Sequence, residues 1–494
     1  MIVQGGIGHN WFNNGGRYDP ATDSWGPLST GGAPSIRSLP TGVWTGDLFI
    51  VWGGFGLNTG GRYDPSTDSW TPTSTLNTPS AREAHSAFWT GALMLVWGGY
   101  DGFGPLNTGG RYDPLIDAWS PMSTAGAPEP RLGPVLWTGS HLLVWGGERY
   151  ATSNRFLNTG GIYDPVADVW RPISLIDAPS ARERHAMIWT GREMIVWGGD
   201  SNAFTFLNTG GRYDPDTDTW SALSVMGAPT ARREPIALWT GSLMIVWSGE
   251  VTPHHYTPTG ARYDPATNHW MPTSTTDAPA GRLYGSAVWT GREMLVWGGE
   301  SDDGYNAFND GGRYDPVADQ WRPTSTVNAP PPRLSHTTIW NGSELFVWGG
   351  WRVAAGYLQT GGRYDPLGDV WKPMSTTGAP SARYRNSAVW TGSLMIVWGG
   401  ETASVTGLTF LESGGAYDPA TDSWSATPLV GTPSSRSLHT AVWTGQDMIV
   451  FGGRGPTTHN DGGRLSTMGT CNETQSPEQL ELPQLRGDND SSHP

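Results

Sequence analysis

The chain reads as an all-β propeller of four-stranded antiparallel blades. Three observations predict it. The tripeptide Tyr-Asp-Pro starts at Tyr18, Tyr63, Tyr112, Tyr163, Tyr213, Tyr263, Tyr314, Tyr364 and Tyr417, at intervals of 45 to 53 residues. The 28 Trp outnumber the 12 Phe and fall at fixed places within each interval. Gly and Pro are plentiful, at 69 and 39 of 494 residues, while charged residues make up only 15%. A period of roughly 50 residues marks stacked supersecondary units, none of which can bury its apolar face alone. The composition suits short aromatic strands joined by tight turns.

The unit from Arg182 to Trp220 shows the strands in order. The runs HAMIW and MIVW are rich in β-branched and aromatic residues, and the pair Thr190-Gly191 between them supplies a hairpin. The double glycine Gly198-Gly199 closes the second strand, and a variable loop ending LNTGG leads into the third, RYD. Pro215 then breaks the ladder because it fixes φ and has no N–H to donate, while Asp214 caps the turn. Trp220 opens the fourth strand. Three positions per unit, exemplified by Trp189, Trp197 and Trp220, hold 26 of the 28 Trp. Large rings at fixed places on each sheet fill the wedge between neighbours, so the sheets stack radially into a ring. These aromatics are expected in the core and not in a ligand platform.

A double glycine after an apolar strand, followed by a Tyr and a Trp with six residues between them, resembles the kelch signature, as at Gly198, Gly199, Tyr213 and Trp220. The match recurs from Gly5 to Gly463. The resemblance is to kelch-repeat propellers of the galactose-oxidase central-domain type. It implies the fold and leaves function open, since such propellers include protein-recognition modules, copper-radical oxidases and sugar-isomerising enzymes.

About nine repeats are expected, eight complete and one assembled from both termini. Residues 1–25 read as strands two to four of a blade and residues 436–453 as strands one and two, so joining the ends removes two exposed edges. The segments MIVQGG at Met1 and MIVFGG at Met448 then compete for one place. The motif GGR at Gly462 to Arg464 passes to LSTMGT, which resembles LSVMGA at Leu223 to Ala228, the segment after a fourth strand. Residues 1–464 are therefore read as a single propeller and residues 465–494 as an irregular or disordered tail. The truncated ends also leave room for a fragment of a larger repeat protein.

Acidic residues outnumber basic ones 45 to 30, for a net charge of -15, which opposes attraction to phosphate backbones and anionic lipid. Neither nucleic acid nor a membrane surface is an expected partner. The one cysteine, Cys471, lies outside the repeats, so no disulfide framework or thiolate metal cluster is expected. No apolar run approaches the roughly 20 residues of a membrane span, and Met1 opens without a signal-peptide pattern. The compartment stays open.

Oxidase chemistry of the kelch kind requires copper on His and Tyr ligands and a Tyr–Cys crosslink, and no blade has a Cys. His85, His185, His336 and His439 share one repeat position, but Pro40, Pro235, Gly285 and Asn386 take the same place elsewhere. That tolerance fits packing or hydrogen bonding rather than a repeated metal ligand. His254 and His255 are neighbours on a variable loop, a poor arrangement for one ion. Asp214 and Asp218 recur around the ring, yet Asn268 replaces the second acid once, which fits a turn cap better than a calcium loop. No metal, cofactor or catalytic residue is assigned.

Within this framework, variation concentrates just after the strand-one Arg and just after the double glycine. The first set includes Ser38 and Leu39, Glu83, Glu183 and Arg184, Arg233 and Glu234, Leu283 and Tyr284, Leu334, and Tyr384 and Arg385. The second includes Tyr100 and Asp101, Glu148 and Arg149, Asp200, Glu250, Glu300, Trp351 and Arg352, Glu401 and Arg454. Entering strand one and leaving antiparallel strand two happen at one end of a blade, so both sets are expected around one mouth of the channel. In kelch recognition modules the positions after this Arg face the peptide, which the resemblance implies here. The expected activity is noncatalytic recognition, by a monomer, of a peptide, protein or glycan through carboxylates, guanidinium groups and rings. The alternative is a sugar-isomerase or hydrolase site using a pair such as Glu183 and Arg184 for acid–base chemistry.

Overall fold

The computed structural model describes residues 15–19, 24–29, 31–35, 37, 40–149, 155–201, 205–302, 304, 306–352, 355–404, 407–429, 432–437, 439–451 and 462–466. Among them every regular element is a β-strand, and no helix is long and apolar enough to cross a membrane. Eight four-stranded antiparallel sheets follow one another as blades of a propeller. Blade 4 is representative, with strands Ala186–Trp189, Met194–Trp197, Gly210–Asp214 and Thr219–Ala222 in that spatial order. Blade 1 begins at Thr41 and blade 8 ends at Ala426.

Period-two alternation on the second strand explains the stacking. Met194 and Val196 pack on blade 3 against Leu143, Trp145 and Ile173. Ile195 and Trp197 point the other way, against Met244, Val246, Tyr263 and Trp270 of blade 5. Both faces are buried, so this strand is apolar at every position. Trp197 meets Trp270 with ring centroids 5.5 Å apart, and the same pairing joins Trp145 to Trp220 at 5.2 Å. Tilted aromatic pairs of this kind add about 0.5–1.5 kcal/mol each beyond their burial. The tryptophans before the double glycine and in the fourth strand are therefore interblade core, and those before Thr-Gly, such as Trp189, pack against it partly buried.

Polar groups tie blades together at the outer turns. The Tyr213 hydroxyl donates to Asp218 Oδ1 at 2.7 Å, and the same oxygen accepts the Ser174 N–H of blade 3 at 2.9 Å. Asn268 does the same work for Tyr263 and Ser224. The recurring second acid is a turn-and-blade fastener that needs an oxygen and not a charge. Asp214 Oδ1 accepts the Asp216 N–H, the turn cap read from the sequence.

The shared histidine position is a second fastener. His85 Nε2 lies 2.6 Å from Thr41 Oγ1 of blade 1, and His336 Nε2 lies 3.1 Å from Ser286 Oγ of blade 6. Each ring also meets a blade tryptophan edge-on, Trp52 and Trp297 respectively. Asn386 substitutes by donating from Nδ2 to Thr337 Oγ1 at 2.8 Å. Burial holds His85 and His336 down to about 3, so both are neutral at physiological pH.

The chain ends share a further sheet, which packs on blade 8 through Ala441, Met448 and Val450 and on blade 1 through Val442, Ile449 and Phe451. It has five strands, ordered Ser24–Leu28, Gly15–Asp19, Gly462–Ser466, Asp447–Phe451 and Thr440–Trp443. Four were expected. Two copies of the third-strand motif are present, and they lie side by side in parallel, with Gly16 opposite Gly463 and Arg17 opposite Arg464. Leu465 and Ser466, expected to follow a fourth strand, instead extend this third-place strand. The Met1 segment, residues 452–461, the tail from residue 467, Ser38, Leu39 and Arg454 lie outside the described residues.

Candidate functional site

A repeated arginine builds the floor of the site. Arg182 is fully buried, and its Nη1 donates to the Gly198 carbonyl at 2.9 Å and the Thr209 carbonyl at 2.6 Å. Its Nη2 donates to Thr209 Oγ1 at 3.1 Å, and its Nε to the Ser180 carbonyl. One guanidinium thus clamps the entry to strand one, the end of strand two and the start of strand three. Arg37, Arg82, Arg131, Arg232, Arg282, Arg333 and Arg383 repeat the clamp. Burial away from water pulls Arg182 down to about 10 and Arg333 to about 9.

The double glycine lets the two variable segments meet above this floor. Gly199 holds φ at 90°, and a Cβ there would sit 2.3 Å from the Glu183 carbonyl. With no side chain in the way, the residue after the Arg bridges directly to the residue after the glycines. Seven blades make this bridge: Glu83 with Tyr100, Leu132 with Glu148, Glu183 with Asp200, Arg233 with Glu250, Leu283 with Glu300, Leu334 with Trp351, and Tyr384 with Glu401. Both variable sets therefore lie at one end of each blade.

The next residue turns its side chain by taking a left-handed backbone. Ala84, Arg184, Glu234, Tyr284, Ser335 and Arg385 all hold φ between 48° and 55°. Non-glycine residues reach this region at some cost, and Asp218 and its equivalents in the outer turns do so as well, so here the conformation re-aims the side chain. Tyr284 is 40% exposed as a result.

Local chemistry differs around the mouth. On blades 4 and 5, Arg184 Nε lies 3.5 Å from Glu183 and 3.6 Å from Glu234, and Arg233 Nε donates to Glu250 at 2.7 Å. Glu183, Asp200 and Glu250 are buried. Burial also raises the Asp200 and Glu83 carboxyls above the usual range. On blade 3, Arg149 pairs with Glu129 and Arg155 with Glu148, both on the protein's own side chains. On blades 7 and 8, Trp351 opposes Tyr357 in a two-stranded flap, and Tyr357 lies 6.1 Å from Tyr384, centroid to centroid. Arg385 stacks 4.8 Å from the Tyr384 ring and bonds buried Glu401 at 3.2 Å. Ser437 Oγ donates to the other Glu401 oxygen at 2.7 Å, which fixes the carboxylate and so the arginine.

Glu83, Tyr100, Glu148, Arg149, Glu183, Arg184, Arg233, Glu250, Tyr284, Glu300, Trp351, Tyr384, Arg385 and Glu401 all belong to these bridges or to the residue beside one. Four contributors escaped the sequence: Phe206, Tyr357, Glu129 and Arg155. They sit on the variable loop or before the Arg, where spacing is not kept, and only cross-strand pairing reveals them. Among the described residues no group of three or more His, Cys, Asp and Glu is arranged to hold a metal ion. Two surface depressions, one of about 310 Å³ beside Phe410 and Leu429 and one of about 260 Å³ beside Pro128 and Ile173, use none of the fourteen residues.

The model of the KLHDC2/KLHL20/DRC7 Kelch-repeats domain matches residues 1–199, 184–400 and 335–487. The chain belongs to this Kelch-repeat family. No curated protein matches the chain. Kelch propellers of this kind are typically protein-interaction modules, so a recognition role follows for this Kelch propeller, with the partner still to be named.

Proposed function

We propose that this Kelch propeller is a noncatalytic recognition module that binds a peptide segment of a partner protein at the mouth formed by the seven bridges. The observation that carries the reading is the division of labour within each bridge. The Arg and the double glycine beneath serve the fold, while the residues they present vary from blade to blade, and those beside the bridges, Arg184, Glu234, Tyr284 and Arg385, keep partly exposed side chains. Aromatic and arginine groups in rigid settings are the residue types that dominate binding energy at interfaces. Arg385 is held by a ring, a buried carboxylate and a left-handed backbone, so little freedom is lost when it binds.

The acid–base alternative centres on Glu183 and Arg184. Arg184 is shared between Glu183 and Glu234, which keeps the pair occupied within the chain and favours a structural ion pair over proton transfer. The test is a random-peptide selection on the intact chain, repeated on the double variant Trp351→Ala, Arg385→Ala. Peptides selected by the parent should bind the variant at least about tenfold more weakly at an unchanged melting temperature. Equal affinity for both proteins would refute the mouth as the binding surface.

A further inference from the structure

The mouth is not electrically even. Above the buried floor arginines Arg182 and Arg232, the wall of blades 4 and 5 carries four carboxylates among the described residues, Glu183, Asp200, Glu234 and Glu250, beside two guanidiniums, Arg184 and Arg233. Arg233 is seated between Glu250 at 2.7 Å and Asp200 at 3.8 Å, with the Phe206 ring 5.3 Å from its guanidinium carbon. Arg184 lies between Glu183 and Glu234. Each arginine is flanked by two acids, so this wall keeps an excess of negative charge. Carboxylates at the edge and an aromatic face are the surroundings a guanidinium selects, and Arg233 shows that this wall offers them.

Asp200 supplies an independent observation. Its side chain is 1% exposed, and neither carboxylate oxygen has a hydrogen-bond partner among the described residues. Arg233 Nη1 reaches it only at 3.8 Å, beyond hydrogen-bond distance. A buried carboxylate without a donor is unfavourable, and a donor arriving from outside relieves it.

We propose that the wall between blades 4 and 5 receives an arginine side chain of the bound peptide. The inference rests on the mouth being the peptide-binding surface. The incoming guanidinium pairs first with Glu234, 34% exposed in its side chain at the rim, and supplies buried Asp200 with the donor that Arg233 does not, once the side chains covering it move aside. Arg233 keeps its bond to Glu250. The net charge of -15 draws a basic segment toward the propeller before contact.

The test extends the random-peptide selection on the full chain at about 0.15 M salt, where surface charges are screened within about 8 Å. Arginine should be enriched over lysine among the selected peptides. Labelled copies of those peptides should bind Asp200→Asn and Glu234→Gln at least about tenfold more weakly, yet bind Asp216→Asn, in the exposed outer turn of blade 4, within about twofold of the parent. Glu234→Gln carries the test if Asp200→Asn does not fold. Lysine enriched equally, or equal losses in all three variants, would mean unspecific charge attraction and overturn the proposal. Selected peptides that lack arginine but still require Trp351 and Arg385 would overturn it while leaving the recognition reading intact. A selection that yields no peptides would overturn both.

Discussion

Arg182 and Arg184 stand two residues apart and serve opposite ends. Arg182 is sealed from water and gives its donors to backbone carbonyls and a threonine hydroxyl. Arg184 is 31% exposed in its side chain, sits on a left-handed backbone, and its guanidinium lies within ion-pair distance of the Glu183 and Glu234 side chains. The first position is arginine in every described blade because three chain segments need one planar donor with that reach. The second is Ala84, Glu234, Tyr284, Ser335 or Arg385 elsewhere, because nothing in the fold reads it. Constancy marks what the backbone demands, and variety marks what a partner is free to read.

The largest effects should come from breaking the floor. Arg333→Ala leaves the Gly349 carbonyl and Thr360 Oγ1 without their donor and takes one of two donors from the Thr360 carbonyl. It should cost about 3 kcal/mol in denaturant unfolding, given the penalty for buried unsatisfied acceptors. Gly199→Ala should cost a similar amount, about 2–3 kcal/mol, because of its left-handed φ and the Glu183 carbonyl in its way. Next comes His336→Ala, at about 2 kcal/mol for the cavity and the lost interblade bond to Ser286.

His336→Asn sharpens the comparison, since Asn386 already fills the equivalent place. The native His336 titrates at about 3 and the unfolded one near 6.5, so only the unfolded chain takes up the proton between those values. Its contribution to stability is present above about pH 6.5 and is lost as pH falls toward 3. The Asn variant should flatten the acid limb of the stability curve by up to about 1.4 kcal/mol per pH unit there. Asp200 and Glu83, raised by burial, act oppositely: they favour the native state in acid and lose that contribution as pH rises through their native values. The smallest stability effects belong to the mouth, where Arg184→Ala should cost about 1 kcal/mol and Arg385→Ala, which leaves buried Glu401 with the Ser437 hydroxyl, about 1–2 kcal/mol.

Much of this was legible before any coordinates. The Tyr-Asp-Pro period, the three Trp positions and the double glycine defined the blades, because interblade packing repeats at a fixed register. Exchange of Asp218 for Asn268 marked a turn cap, and exchange of His336 for Asn386 marked packing or hydrogen bonding; the structure shows each position bonding across a blade boundary. The shared end of the two variable sets followed from antiparallel geometry, and the Glu183–Asp200 bridge shows why it works. What spacing could not reveal was loop chemistry. Tyr357 and Phe206 reach the mouth from loops of unequal length, and Asp200 is distinguished by having no hydrogen-bond donor among the described residues rather than by its place in the repeat. The five-stranded sheet was hidden because the duplication was read in strand two, at Met1 and Met448, whereas two copies of the third-strand motif, at Gly15 and Gly462, lie side by side.

The most direct measurement is a substitution scan of blades 4 and 8, scored twice, for protease resistance and for binding of the selected peptides. Floor positions Arg182, Gly199 and Arg383 should fail in both scores. Mouth positions Arg184, Tyr384 and Arg385 should keep protease resistance and lose binding. Mouth substitutions that unfold the chain, or that leave binding untouched, would contradict the division between floor and mouth.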